Sequence, residues 1–233
     1  MIKKENSKAY ETIDEVWESL SEFLGNDFNP MLTNYQNCCE FCDQEFARLR
    51  ELFYHESLAY LYDLTHFHFL SYKDRFFSLV EGAAQKLDLQ TIADFGCGVG
   101  LDGQMLIKRG LNVSFIDFYS PCTEFLKWRL AKDMNLQVEV LELYKTHHKY
   151  DLAYAVDVLE HIPDPNLFLD YIFKSAHYVC INLFPHDLSC WDSQDMHLPL
   201  NHWQLYMSCL GTLIQVDNSG DTVVTLWKSK DLI

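Results

Sequence analysis

The sequence predicts an α/β fold: a seven-stranded, mostly parallel, doubly wound sheet with an antiparallel last strand, preceded by an N-terminal helical cap. Three observations carry this. From Gln90 onward, short apolar runs alternate with helix-period segments, the pattern of a parallel sheet covered on both faces. The turn Asp94-Phe95-Gly96-Cys97-Gly98-Val99-Gly100 joins the first such run to a helix, and glycine there lets backbone turn tightly and approach a ligand. Before Gln90 there is no strand signal, and apolar residues recur at helical spacing. We therefore expect a helical segment over 1–88 that covers the active-site mouth and an α/β domain over 89–233; at 233 residues and 48% hydrophobic content the chain can bury a sizeable core.

In chain order, Tyr10, Ile13, Val16, Trp17, Leu20, Phe23 and Leu24 form the buried face of a helix over 9–24, which Gly25-Asn26-Asp27 and Asn29-Pro30 break. A second helix takes in Tyr35, Cys38, Cys39, Cys42, Phe46, Leu49 and Phe53; a third covers about 56–69, and a fourth 73–87. Tyr54, Tyr60, Tyr62, Phe67 and Phe69 crowd this region with His55, His66 and His68, and such rings either fill a core or line a pocket. His66 and His68 lie about 200° apart on a helix, a poor metal pair.

The α/β part then reads as a strand at 91–95, a helix at 101–109 stopped by Gly110, and a strand at 112–116 ending at Asp117. Ser120 caps the next helix with Pro121 in its first turn, and that helix runs to Met134. Strands follow at 137–141 and 151–156, then a helix through Phe168, Ile172 and Phe173, and a fifth strand at 178–183. A loop from Phe184 to about Pro199 leads to a helix over 203–209, capped by Gly211. Two closely joined strands, 212–216 and 222–227, should be antiparallel neighbours.

Eighteen Lys and Arg against 34 Asp and Glu give a formal charge of −16, with no basic cluster beyond Lys3-Lys4 and 228–230. This argues against nucleic acid and for a neutral or cationic small molecule, or a peptide, as partner. No apolar run reaches the roughly 18 residues that span a bilayer, and the first residues lack a signal-peptide core; a cytoplasmic protein without membrane attachment is expected. The eight cysteines are scattered and read as reduced, buried thiols. Cys39-x-x-Cys42 has no second pair at zinc-site spacing, so no metal ligand is assigned.

The glycine turn lacks the glycine that a dinucleotide fingerprint needs at 101, where Leu stands, and no Gly-Lys-Ser/Thr of a phosphate loop occurs. Its D-x-G-x-G-x-G form resembles motif I of the class I (Rossmann-like) S-adenosylmethionine-dependent methyltransferases. The segment YDLAYAVDVLEHIPDP resembles the fourth-strand region of small-molecule members of the methyltransferase-11 and ubiquinone-biosynthesis-like groups, and stands 63 residues on, from Asp94 to Asp157. The resemblance covers Gln90 to Leu183 well and the last 50 residues as architecture only.

It implies S-adenosyl-L-methionine as cofactor, cradled by Asp94, Gly96, Cys97 and Gly98. Asp117, about 20 positions after the turn, is placed to accept hydrogen bonds from both ribose hydroxyls. Phe118, Glu142, Leu143 and Asp157 complete the expected cofactor set; Glu142 stands where Asp is commoner in the family. Methyl transfer from a sulfonium needs mainly alignment and a dry site, with a histidine base helping an oxygen acceptor. His161 and His186 are the candidate catalytic residues, since both follow strands at their carboxyl ends; His197 and His202, in or after the loop beyond the fifth strand, are expected to fold over the same mouth. A divalent cation held by carboxylates after these strands is the less favoured route. The expectation is methyl transfer to a small molecule or peptide, oxygen favoured over nitrogen. The rival expectations are a non-methylating S-adenosylmethionine enzyme and a non-catalytic partner protein.

Overall fold

The computed structural model describes residues 11–70, 72–145, 147–183, 203–219 and 222–230. Seven strands form one sheet: β1 (Thr91–Phe95), β2 (Asn112–Asp117), β3 (Val140–Glu142), β4 (Tyr150–Ala155), β5 (Ala176–Leu183), β6 (Gly211–Asp217) and β7 (Val223–Ser229). Their order is β3-β2-β1-β4-β5-β7-β6. The first five are mutually parallel, whereas β7 runs antiparallel to β5 and β6 antiparallel to β7. The strand order reverses between β1 and β4, and ligands of open α/β sheets bind at the carboxyl ends beside such a reversal.

One local expectation is corrected. The third strand occupies Val140–Glu142 rather than 137–141: Asn135 adopts a left-handed conformation after the preceding helix, and the next residues carry the chain to the edge of β2, where Val140 pairs with Phe115. Gly211 directly follows the helix that ends at Leu210 and also opens β6 opposite Ser229.

The sheet is sandwiched. On one face Phe95, Ala153, Ala155, Val179 and Ile181 pack with Phe168, Leu169 and Ile172 of α8 (Pro165–Ser175) and with Trp203 and Met207 of α9 (Trp203–Leu210). On the other, Ile92, Leu152, Tyr154, Cys180 and Leu226 meet Phe76, Val80 and Ala83 of α5 (Tyr72–Leu87) and Leu106 of α6 (Leu101–Lys108). Each fully buried Leu, Ile or Phe contributes about 1.5–3 kcal/mol relative to exposure. The helix α7 (Pro121–Met134) begins as expected, with Ser120 and Thr123 forming a capping box and Pro121 in the first turn. Asp164 caps α8 through Oδ1, which accepts from the Leu167 amide.

The preceding helices α1 (Ile13–Leu24), α2 (Tyr35–Leu49), α3 (Phe53–Glu56) and α4 (Ala59–His68) bury Val16, Leu20, Cys38, Phe53 and Leu61 against Val99, Cys122 and Phe125 of the α/β part. The second expected helix breaks at Arg50, whose φ of 53° starts a 3-10 turn over Arg50–Leu52. That break lets Phe53 bury and Tyr54 reach the crevice. Arg129 of α7, 1% exposed, is clamped by Glu11 just ahead of α1, at 2.5 Å, and by Asp133 at 3.5 Å. No helix among the described residues is long and apolar enough to cross a membrane. The loop 184–199 lies outside the described residues.

Candidate active site

The turn after β1 is shaped by positive φ at Gly96 (71°) and Gly98 (50°), conformations that cost a residue with a Cβ. A Cβ would also crowd its neighbours: one on Gly96 would meet Val158 Cγ2 at 2.4 Å, and one on Gly98 would meet Leu64 Cδ1 of α4 at 2.6 Å, so those side chains would have to shift. The turn is therefore held between the segment after β4 and helix α4. Asp117, at the end of β2, ties in from the side: its Oδ2 accepts from the Gly98 amide and its Oδ1 from the Phe118 amide, both at 2.8 Å. Burial pushes the Asp117 carboxyl up to about 6, against the pull of those two amides.

Beside the turn lies a compact charge cluster. Lys73 of α5 pairs with Asp157 at 3.0 Å and stands 3.8 Å from Asp102, which also pairs with His68 Nδ1 at 2.9 Å. Burial opposes the charge on Lys73, but Asp157, Asp102 and Asp94 outweigh it and hold the ammonium above its ordinary range. Burial likewise works against ionised Asp102, yet Lys73 and His68 bring its carboxyl down to about 2. Asp94, 4% exposed, is pushed well up by burial and by Asp102, and its Oδ2 lacks a hydrogen-bond partner. Asp157, with φ of 54°, is fixed by Asn182, whose Oδ1 accepts from the Asp157 amide at 2.8 Å and whose Nδ2 donates back to Oδ1.

The turn and the charge cluster open on one cavity of about 470 Å³, whose other wall is built by α2, α3 and α4. There Tyr54 Oη and His161 Nδ1 share a hydrogen bond at 3.1 Å across 107 residues of sequence. Burial, then Asp63 and Glu160, keep the Tyr54 phenol protonated. Glu160, 2% exposed, has Oε1 without a partner, and burial beside Asp157 pushes its carboxyl up to about 8. Asp63 of α4 is pushed up to about 7 by burial and by Asp43. Among the described residues, eight carboxylate side chains line this cavity against one lysine, a setting that accommodates positively charged groups.

Of the residues singled out in the sequence, Asp94, Gly96, Cys97, Gly98, Asp117, Phe118, Leu143, Asp157 and His161 all line this cavity. Glu142 does not: its side chain is 59% exposed and pairs with Lys145 at 2.6 Å. His186 lies outside the described residues, as do Asp187, His197 and His202. Among the cover histidines, His66 shares a hydrogen bond with the Leu32 carbonyl in the core, His68 meets Asp102, and His55 stacks on Phe118 at 4.1 Å. Sequence reasoning missed Lys73, Asp102 and Asp63, none of which sits in a motif, and named Tyr54 only as one of the crowded rings that fill a core or line a pocket. Glu160 lay within the quoted E-H-I-P-D-P segment, and only its burial marks it out.

A family model described as a methyltransferase domain matches residues 93–181. Over 85 residues the chain is 31% identical to the ubiquinone biosynthesis O-methyltransferase of Nitrosomonas europaea, covering 34% of this chain and 36% of that protein. The namesake enzyme of Psychrobacter cryohalolentis is 34% identical over 93 residues, 36% of this chain and 35% of its own. The chain thus spans about a third of the length of the curated relatives it matches. Among solved structures, the magnesium protoporphyrin IX methyltransferase of Synechocystis PCC 6803 with bound S-adenosylhomocysteine superposes with a TM-score of 0.57 at 13% identity, over 82% of this chain and 96% of that one. The N-methyltransferase NodS of Bradyrhizobium japonicum gives 0.53 at 12% identity, over 68% and 96%. At these identities the likeness is one of fold. Residues 93–181, which hold the glycine turn and the central strands, are thus similar in sequence to methyltransferase domains, and the whole sheet shares its fold with solved methyltransferases.

Proposed function

We propose that this protein transfers a methyl group from S-adenosylmethionine to a hydroxyl oxygen of a small molecule held beneath the helical cover. The observation that carries the reading is a single cavity joining the Gly96–Gly98 turn and Asp117 to the Tyr54–His161 pair. The residues present suit the cofactor: the turn takes glycine conformations that a Cβ would strain, Asp94 Oδ2 is an orphaned buried acceptor, and the lining is rich in carboxylate. On this reading Asp117 holds the ribose hydroxyls, the turn cradles the methionine end, and Lys73 supplies positive charge for its carboxylate. When bound, the cofactor supplies an electrophilic methyl group on a sulfonium. The chain's own contribution is then alignment, exclusion of water and handling of one proton.

That proton falls to His161. With Nδ1–H donating to Tyr54 Oη, the imidazole carries its basic lone pair on Nε2, which takes the hydroxyl proton as the acceptor oxygen gains the methyl. The curated relatives are O-methyltransferases by name, which supports oxygen over nitrogen. Segment 1–88 serves as cover and specificity element, since α2 to α4 furnish the wall facing the glycine turn. Two measurements test the reading: calorimetry with S-adenosylhomocysteine, and transfer of labelled methyl groups into small molecules of a cell extract. Absence of cofactor binding, or binding without label transfer to any small molecule, would overturn it.

A further inference from the structure

Cys38 and Cys42 stand one turn apart on α2, so their side chains share a face. Both are buried, and their sulfurs are 3.9 Å apart. Two thiolates bound to a tetrahedral zinc, each at about 2.3 Å, stand about 3.8 Å from one another. The carboxylate of Asp63, arriving from α4, brings a third ligand atom: all three lie within 4.8 Å of one another, and this is the one such trio among the described residues. Asp63 makes no hydrogen bond or ion pair with the described residues, and the charged side chain nearest it in effect is Asp43, a like charge. Two buried thiols and a half-buried carboxylate thus converge as three ligand groups of the kind a zinc ion takes.

The sequence pointed to Cys39-x-x-Cys42 as the pair to consider. The helix turns Cys39 away to Tyr35 and brings Cys38 to Cys42 instead. We propose that Cys38, Cys42 and Asp63 form a zinc site that joins α2 to α4 in the wall of the cavity. Soft thiolates with one carboxylate favour zinc over magnesium or calcium. Cys42 and Asp63 both line the cavity, so the fourth coordination position opens onto it, as in sites that keep a place for water or a ligand donor atom. The site stands apart from the glycine turn and does not depend on the methyl-transfer reading.

The test uses the full chain, purified under reducing conditions without chelator, analysed for metal, then stripped and titrated with Zn²⁺ and Co²⁺. The expected result is one zinc per chain and a cobalt complex whose thiolate-to-metal charge-transfer absorption corresponds to two thiolates. Cys38→Ser and Cys42→Ser each lower that absorption by about half and weaken zinc binding about 100-fold or more, Asp63→Asn weakens it about tenfold, and Cys39→Ser leaves it unchanged. Zinc also raises Tm in the wild type, because the site links two helices. A cobalt spectrum without charge transfer, affinity indifferent to Cys38→Ser and Cys42→Ser, or no zinc bound at micromolar metal overturns the proposal. S-adenosylhomocysteine affinity serves as the folding control; if the serine variants misfold, the thiolate count in the wild-type cobalt spectrum decides.

Discussion

Asp117 Oδ2 accepts a hydrogen bond from the Gly98 amide at 2.8 Å, fastening the end of β2 to the glycine turn after β1. The bond shapes the turn and sets the carboxylate at the crevice where the strand order reverses. Asp117→Asn keeps the size of the side chain but exchanges one acceptor oxygen for a donor. S-adenosylhomocysteine affinity should fall about 10- to 100-fold by calorimetry, with little change in Tm. Because burial raises this carboxyl to about 6, wild-type affinity should climb as pH rises through that value and then level off. The variant should show no such climb; equal affinity at all pH would remove Asp117 from the site.

The Tyr54–His161 pair makes a different prediction, because the proposed function has it act on the acceptor and not on the cofactor. His161→Asn should lower label transfer by about 100-fold or more while S-adenosylhomocysteine binds as before. Tyr54→Phe, which removes the partner that fixes the ring, should give a smaller loss in the same direction. A fall in cofactor affinity that matched the fall in rate would point to a structural role instead.

Gly98→Ala tests the fit between turn and cover. Its Cβ would stand 2.6 Å from Leu64 Cδ1 at a φ of 50°, so denaturant unfolding should register a loss of about 1–3 kcal/mol. Adding Leu64→Ala removes the clash but not the strain of positive φ. The double variant should lose less than the sum of the two single changes, and strict additivity would show that the cover does not rest on the turn.

Lys73→Met leaves Asp102 and Asp157 without their shared cation. At neutral pH this should cost about 3 kcal/mol of stability, the scale of breaking a buried ion pair. The pH dependence fixes the sign. Asp102 is held down at about 2, so its contribution is present above the ordinary carboxylate range and disappears as pH falls through about 2. The deficit of the variant, followed by thermal unfolding, should therefore be largest near neutrality and shrink in acid.

Glu160 behaves in the opposite sense. Its carboxyl is raised to about 8, so the folded state is favoured below the ordinary carboxylate range and loses that advantage as pH rises through about 8. Glu160→Gln mimics the protonated form. Its Tm should match the wild type in mild acid and exceed it by a few degrees above about pH 8. A lower Tm at high pH would mean that ionised Glu160 has a stabilising partner.

How much of this was legible in the sequence follows from the range of the forces involved. The strand, glycine turn and helix from Thr91 to Lys108 could be read directly, because apolar periodicity and the backbone freedom of Gly96 and Gly98 are local properties. Asp117 was legible for a related reason: parallel pairing of β1 with β2 in register carries the end of one strand to the end of the other. The Ser120-Pro121 start of α7 needed only its own few residues. The break at Arg50 and the displaced third strand were not local, since burial of Phe53 and the register against β2 decided them.

The sequence by itself thus determined the order of elements, the glycine turn and the acidic residue beside it. Tertiary structure alone decided which titratable groups lost water and which found partners. Lys73, Asp102 and Asp157 come from a cover-side helix, the helix after the turn and the end of β4, and only packing makes them one cluster. Tyr54 meets His161 across 107 residues, and Cys38 rather than Cys39 joins Cys42, because helix rotation and the approach of α4 set those contacts. The physical reason is common to all of them. Burial changes the energy of a charge or a thiol far more than its chemical identity does, and burial is a property of the packed chain, not of any stretch of it.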